Sequence, residues 1–135
     1  MIQTSHKVLM VDDDEFLMSL YQKRAAKEGL NLRITLNGKD ALDILRGHDF
    51  VPDIVALDIT MPGMSGMDVL KVIREENLVP NAEIAILSNT ASDMTMVEAK
   101  KLGVHKFIFK AAFPPSQIFD ELFSITQEEH RKNEK

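Results

Sequence analysis

Asp58 closes the apolar run Ile54-Val55-Ala56-Leu57 and is followed at once by the loop Ile59-Thr60-Met61-Pro62-Gly63-Met64-Ser65-Gly66. Taken alone, an acid before a Gly/Pro loop reads as an ordinary turn or cap residue. Three other places in the chain repeat the arrangement. Asp12 and Asp13 follow Val8-Leu9-Met10-Val11, Ser88 follows Ile84-Ala85-Ile86-Leu87, and Lys110 follows Phe107-Ile108-Phe109. If these runs are parallel strands, their carboxyl ends share one rim, and in open α/β sheets ligands bind at that rim. Three carboxylates, a hydroxyl and an ammonium then converge. Like charges about 4 Å apart repel by up to about 4 kcal/mol at an effective dielectric of about 20, so three clustered acids call for a cation. Carboxylates with remaining waters suit Mg²⁺, which leaves room for phosphate oxygens. Lys110 and Ser88 supply a point charge and a hydrogen bond of the kind phosphoryl groups need. A carboxylate beside Mg²⁺ can itself be the nucleophile.

The elements around these ends must form such a sheet. Val8 to Val11 is continuously apolar, as a strand buried on both faces should be. Phe16, Leu17, Leu20, Tyr21 and Ala25 then recur at three and four, the spacing of an amphipathic helix, with Gly29 as its stop. Leu30, Leu32, Ile34 and Leu36 alternate with Asn31, Arg33 and Thr35, which predicts a half-exposed second strand at a sheet edge. Asn37-Gly38 turns into a short helix with Ala41, Leu42 and Leu45, closed by Gly47. The third strand is Ile54 to Leu57, and Met67, Val69, Leu70, Val72 and Ile73 give a third helix that stops by Asn77. A fourth strand over Ile84 to Leu87 precedes a helix holding Met94, Val97 and Leu102. The fifth strand, Lys106 to Phe109, precedes a last helix opened by Pro114-Pro115-Ser116, with Ile118, Phe119, Leu122, Phe123 and Ile125 inward. Five βα units in succession predict an α/β doubly wound, five-stranded parallel sheet with helices on both faces. The flavodoxin-like order 2-1-3-4-5 places the alternating second strand at an edge.

Composition narrows the function classes. The chain has 135 residues, 27% of them charged, a formal net charge of −5 and no cysteine. Disulfides and thiolate metal sites are thereby excluded. The negative balance argues against a nucleic-acid backbone as the main partner; Lys23, Arg24 and Lys27 read as a solvated helix face. The longest apolar runs are too short to span a membrane, and the amino terminus does not have the pattern of a signal peptide. A cytoplasmic location is the default expectation.

Val11-Asp12-Asp13, the run Asp58-Ile59-Thr60-Met61-Pro62 with Gly66, Ser88 and Lys110 resemble the receiver domain of two-component response regulators. The resemblance covers about residues 7 to 128, and its most specific parts are the paired acids after strand one and the D-x-x-M-P-x-x-x-G run. It implies a CheY-like receiver domain over residues 1–128, with residues 129–135 as a charged tail and no output domain. It further implies that Asp58 accepts a phosphoryl group from a histidine kinase or histidine phosphotransfer protein. Mg²⁺ would be held by Asp12, Asp13, Asp58 and the backbone carbonyl of Thr60. Ser88 and Phe107 would act as switch residues, with Lys110 supporting the phosphoryl group. The implied output is a downstream effector bound on the face of the fourth helix, fifth strand and fifth helix, by a monomer or weak dimer. A domain of this kind is a phosphoacceptor that catalyses only its own phosphorylation and dephosphorylation, not a turnover enzyme. Three positions depart from the pattern: Ala111 follows Lys110 where proline is usual, Asn89 follows Ser88 where a small residue is usual, and Phe107 replaces the commoner tyrosine.

Other readings of the same residues stand beside this one. Asp12 to Glu15 could serve only as an acidic helix start, and Thr90 competes with Ser88 as the hydroxyl. Met61, Met64, Met67, Met94 and Met96 fit core packing and loop anchoring better than an adaptable partner surface. The fold could also be a phosphorylation-independent interaction module. A phosphatase acting through an aspartyl phosphate would want a second Asp where Thr60 stands. A dinucleotide-binding domain would want G-x-G-x-x-G after the first strand.

Overall fold

The computed structural model describes residues 7–89 and 93–123. Five strands, β1 (Lys7–Val11), β2 (Asn31–Thr35), β3 (Ile54–Asp58), β4 (Glu83–Ser88) and β5 (Lys106–Phe109), form one parallel sheet in the order β2-β1-β3-β4-β5. The helices between them are α1 (Glu15–Glu28), α2 (Gly38–Arg46), α3 (Gly66–Glu75) and α4 (Asp93–Lys101). A fifth, α5, covers residues 115–123, after a 3₁₀ turn at Lys110–Ala112. The expected α/β architecture and strand order are therefore both present. Ile125 and the carboxyl-terminal tail lie outside the described residues.

Strand period decides which side chain goes to which face. Val8 and Met10, with Ile54, Ala56, Ala85 and Leu87, pack against Met18, Tyr21 and Ala25 of α1 and Ile118, Phe119, Leu122 and Phe123 of α5. Leu9 and Val11, with Val55, Leu57, Ile84 and Ile86, pack against the buried residues of α2 and α3 and Ala99 of α4. The three central strands are apolar on both faces because helices cover both.

Local chemistry sets where the helices begin. Asp14 accepts a hydrogen bond from the Leu17 amide at 3.0 Å, and Asn37 does the same for Asp40 at 2.8 Å. Ser65 and Asp68 form a reciprocal capping box at the start of α3. Pro115 occupies the first position of α5, where its missing N–H costs nothing.

Three expectations about faces are corrected. Phe16 and Leu20 point outward, 74% and 41% exposed, and the packed stripe of α1 is Leu17, Met18, Tyr21 and Ala25. With apolar side chains at 16, 17, 18, 20 and 21, spacing alone permits two stripes; packing onto β1 and β2 selects one. In β2 the alternation stops at Thr35, which is buried, while Leu36 is exposed. The Thr35 carbonyl accepts from the Asp12 amide at 3.1 Å, and Asn37 is committed to capping α2. Leu36 therefore belongs to the turn. Val97 is exposed as well, and α4 seats Ala99 against the sheet instead.

Candidate functional site

Parallel strand ends bring the chemically capable residues to one rim. In the sheet Asp58 pairs with Leu87, which places Ser88 one step further along the neighbouring strand. Ser88 in turn pairs with Phe109, the residue before Lys110. Asp12 directly follows β1, and its backbone amide still bonds across to Thr35. Asp12, Asp58 and Ser88 are buried, Asp13 is exposed. One carboxylate oxygen from each of Asp12, Asp13 and Asp58 lies within 4.8 Å of the others.

Lys110 supplies the counter-charge, but unevenly. Its Nζ donates to Asp12 Oδ2 at 2.8 Å and stands 3.7 Å from Asp58 Oδ2. The other oxygen of Asp12 accepts from the Asp14 amide at 3.0 Å, so Asp12 is bonded on both sides. Among the described residues, Asp58 accepts from the Thr60 amide at 3.3 Å and has the more distant lysine beside it. Burial and then the charge of Asp12 push the Asp58 carboxyl up to about 6, against the opposing pull of Lys110 and the Thr60 amide; Asp13 adds to the rise. Burial pulls the Lys110 ammonium down, yet its hydrogen bond to Asp12 and the charges of Asp12, Asp58 and Asp14 outweigh this and hold it above the ordinary lysine value.

The donor set fits a hard divalent cation. All three acids offer oxygen and none of them nitrogen or sulfur, which suits Mg²⁺ over thiolate- or imidazole-seeking metals. Asp13 opens the cluster to solvent, and among the described residues the Lys110 ammonium lies beside Asp12 and Asp58. The cluster could hold a metal ion.

Gly66 explains why the loop after Asp58 ends as it does. A Cβ there would lie 2.4 Å from the Asp58 carbonyl oxygen, and the Gly66 amide donates to Ile59 at 3.2 Å. The start of α3 thus presses directly on the end of β3, and only glycine allows it. The sequence shows this glycine after the Pro-containing loop without showing its reason.

The remaining predicted residues fall as follows. Thr60 is exposed, two residues beyond Asp58. Phe107 is partly buried against the α2–α4 side of the sheet. Asn89 and Ala111 are exposed. Thr90 and the side chain of Met94 lie outside the described residues. Met61 is buried, and Met64 and Met67 pack beside it, as core and loop anchors. After Lys110 the chain enters a 3₁₀ turn, with no cis peptide among the described residues.

One expectation about charge is corrected. Arg24, read from the sequence as part of a solvated face, is a partly buried link between α1 and α5. Its guanidinium bonds Glu28, Asp120 and the Ser116 carbonyl and lies 4.2 Å from the centroid of the Phe119 ring. Partners more than 90 residues away leave no local sequence signal. Among the described residues, no helix is long and apolar enough to cross a membrane.

Comparison with known proteins gives a consistent result. The family model for the response regulator receiver domain matches residues 8–122. The chemotaxis protein CheY of Thermotoga maritima is 34% identical over 122 residues, which cover 90% of this chain and 98% of that protein. The transcriptional regulatory protein CpxR of Escherichia coli is 30% identical over 125 residues, 93% of this chain but 51% of CpxR, so the chain spans about half the length of that relative. Among solved structures, the chemotaxis protein CheY4 of Vibrio cholerae matches with a TM-score of 0.74 at 25% identity, covering 87% of this chain and 95% of that one. A CheY-like receiver domain protein of Methanospirillum hungatei has the same fold, with a TM-score of 0.79 at 20% identity over 94% of this chain and 98% of that one.

Proposed function

This chain belongs to the response regulator receiver domain family, and we propose that Asp58 is its phosphoacceptor, taking a phosphoryl group from a phosphohistidine on a histidine kinase or phosphotransfer protein. The observation that carries this reading is the asymmetry of Lys110, bonded to Asp12 at 2.8 Å but 3.7 Å from Asp58. Asp12 is neutralised in place, and Asp58 keeps an oxygen for attack. An Asp58 oxygen forms the new P–O bond as the P–N bond to the donor imidazole breaks, and the imidazole leaves with a proton from solvent. With its carboxyl pushed up to about 6, Asp58 is mostly ionised at neutral pH and available as a nucleophile.

Mg²⁺ held by Asp12, Asp13, Asp58 and the Thr60 carbonyl would offset the charge shared by the acids and the incoming phosphoryl oxygens. Lys110, already poised between Asp12 and Asp58, is positioned to follow the phosphoryl group. Ser88, buried one strand over, offers it a hydroxyl. The modification adds about −1.5 to −2 charges at one buried point. That local change biases a two-state surface through Ser88 and Phe107 toward binding an effector on α4, β5 and α5. The domain promotes only its own phosphorylation and the hydrolysis that reverses it.

Incubation with acetyl phosphate and MgCl₂ followed by intact-mass measurement tests the reading. The wild type should gain one phosphoryl group, and Asp58→Asn should gain none. A folded wild type that forms no adduct at any Mg²⁺ concentration would instead make this a phosphorylation-independent binding module.

A further inference from the structure

Lys110 reaches Asp12 and Asp58 from the end of β5, which the buried Ile108 and the Lys106–Glu121 pair tie to α5, but the turn that follows β5 has less to hold it. Among the described residues β5 is an edge strand, paired with β4. The 3₁₀ turn that begins at Lys110 has no side-chain cap, and Ala111 and Ala112 are exposed. Phe113, extended and packed against the α1–α5 core, is an apolar anchor before α5. The position of the segment therefore depends on where α5 begins.

Ile118 and Phe119 seat α5 in the core, and Arg24 clasps its beginning from α1. Its Nη1 donates to the Ser116 carbonyl at 2.9 Å in the first turn of α5, and its Nη2 pairs with Asp120 in the next turn. Glu28, one turn along α1, holds Nε at 2.6 Å, so the planar fork is oriented before it meets α5. The ring of Phe119 lies 4.2 Å beneath the guanidinium. One side chain thus grips a backbone carbonyl, a carboxylate and a ring of α5. Asp12, just ahead of α1, grips Lys110 at the other end of the same segment.

We propose that Arg24 is a positioning residue for Lys110, its clasp on the first turns of α5 setting the far end of the segment that delivers the ammonium to Asp12 and Asp58. This rests on Asp58 being the phosphoacceptor, and the test separates the two ideas. The side chain touches none of the reacting groups and acts only through the backbone between 110 and 116.

A double-mutant cycle on adduct formation from acetyl phosphate and MgCl₂ gives the first reading. Arg24→Gln should slow the reaction by about tenfold, within the roughly 100-fold that a misplacement of about 1 Å can cost. In a Lys110→Ala background, Arg24→Gln should change the rate no further. An Arg24 effect that persists undiminished without Lys110 overturns the proposal, since it would reflect general loosening of the fold. Backbone amide shifts give a second reading that needs no phosphorylation. Arg24→Gln should move the amides of Lys110, Ala111 and Ala112, whereas the surface control Arg46→Gln should not. Shifts confined to α1 and α5 also overturn it. A wild type that forms no adduct counts against the phosphoacceptor reading, and the amide shifts still decide the role of Arg24.

Discussion

Arg46 faces Glu76 through two hydrogen bonds of 2.9 and 2.6 Å, and Lys71 meets Glu98 at 2.9 Å; in both pairs each side chain is roughly half exposed. At the rim of the sheet the arrangement is the reverse. Asp12 and Asp58 are buried, Asp13 stands beside them, and among the described residues the Lys110 ammonium pairs with Asp12 and approaches Asp58. These two surface pairs are matched one to one and remain in water, where such pairs contribute little. Rim charges are mismatched and desolvated, which destabilises the fold until something else compensates. Against those two pairs, the rim leaves buried carboxylates in excess of the ammonium beside them.

The largest expected effect comes from disturbing the backbone that sets the rim. Gly66→Ala places a methyl against the Asp58 carbonyl, and urea denaturation should show a loss of about 3 kcal/mol or more. By contrast Gly29→Ala, at φ 69° with nothing within 4 Å of the added Cβ, should cost only about 1 kcal/mol, the conformational penalty alone. Equal losses would mean that α3 does not press on β3.

Next in size is the charge of Asp58 itself. Its folded carboxyl binds a proton more tightly than the unfolded one, about 6 against 3.8. The fold therefore loses stability as pH rises through that window, and the penalty is complete above pH 6. Asp58→Asn, measured without divalent cations at pH 7, should be more stable than wild type by on the order of 2 kcal/mol. At pH 3.5 the advantage should vanish. Wild-type stability that rises between pH 4 and 6 faster than that of Asp58→Asn would reverse the assignment. The smallest effect belongs to the surface: Arg46→Gln should leave the melting temperature within error of wild type, and a clear drop would erase the contrast between rim and surface.

Much of the rim was legible in the sequence because parallel strands place every carboxyl end on one edge. Once four apolar runs each ended in Asp, Ser or Lys, topology alone gathered Asp12, Asp13, Asp58, Ser88 and Lys110. Faces were less legible. The apolar residues of α1 exceed one stripe, so Phe16 and Leu20 could be assigned inward until the sheet chose Met18 and Tyr21. Thr35 and Leu36 exchanged roles because a strand end is set by hydrogen bonds to a neighbour, here Asp12, and not by alternation. Gly66 and Arg24 were legible as residues but not as causes. One acts through a backbone approach, the other through partners on the last helix, and neither leaves a periodic trace.

The claim that the rim is an unbalanced cation site is tested most directly by thermal unfolding at pH 7 with and without MgCl₂, in wild type and Asp58→Asn. Without Mg²⁺ the variant should melt higher than wild type. Mg²⁺ should raise the wild-type melting temperature by mass action and raise that of the variant less, since one of three carboxylates is gone. A wild type whose melting temperature does not respond to Mg²⁺, or a variant that gains as much as wild type, would contradict the account.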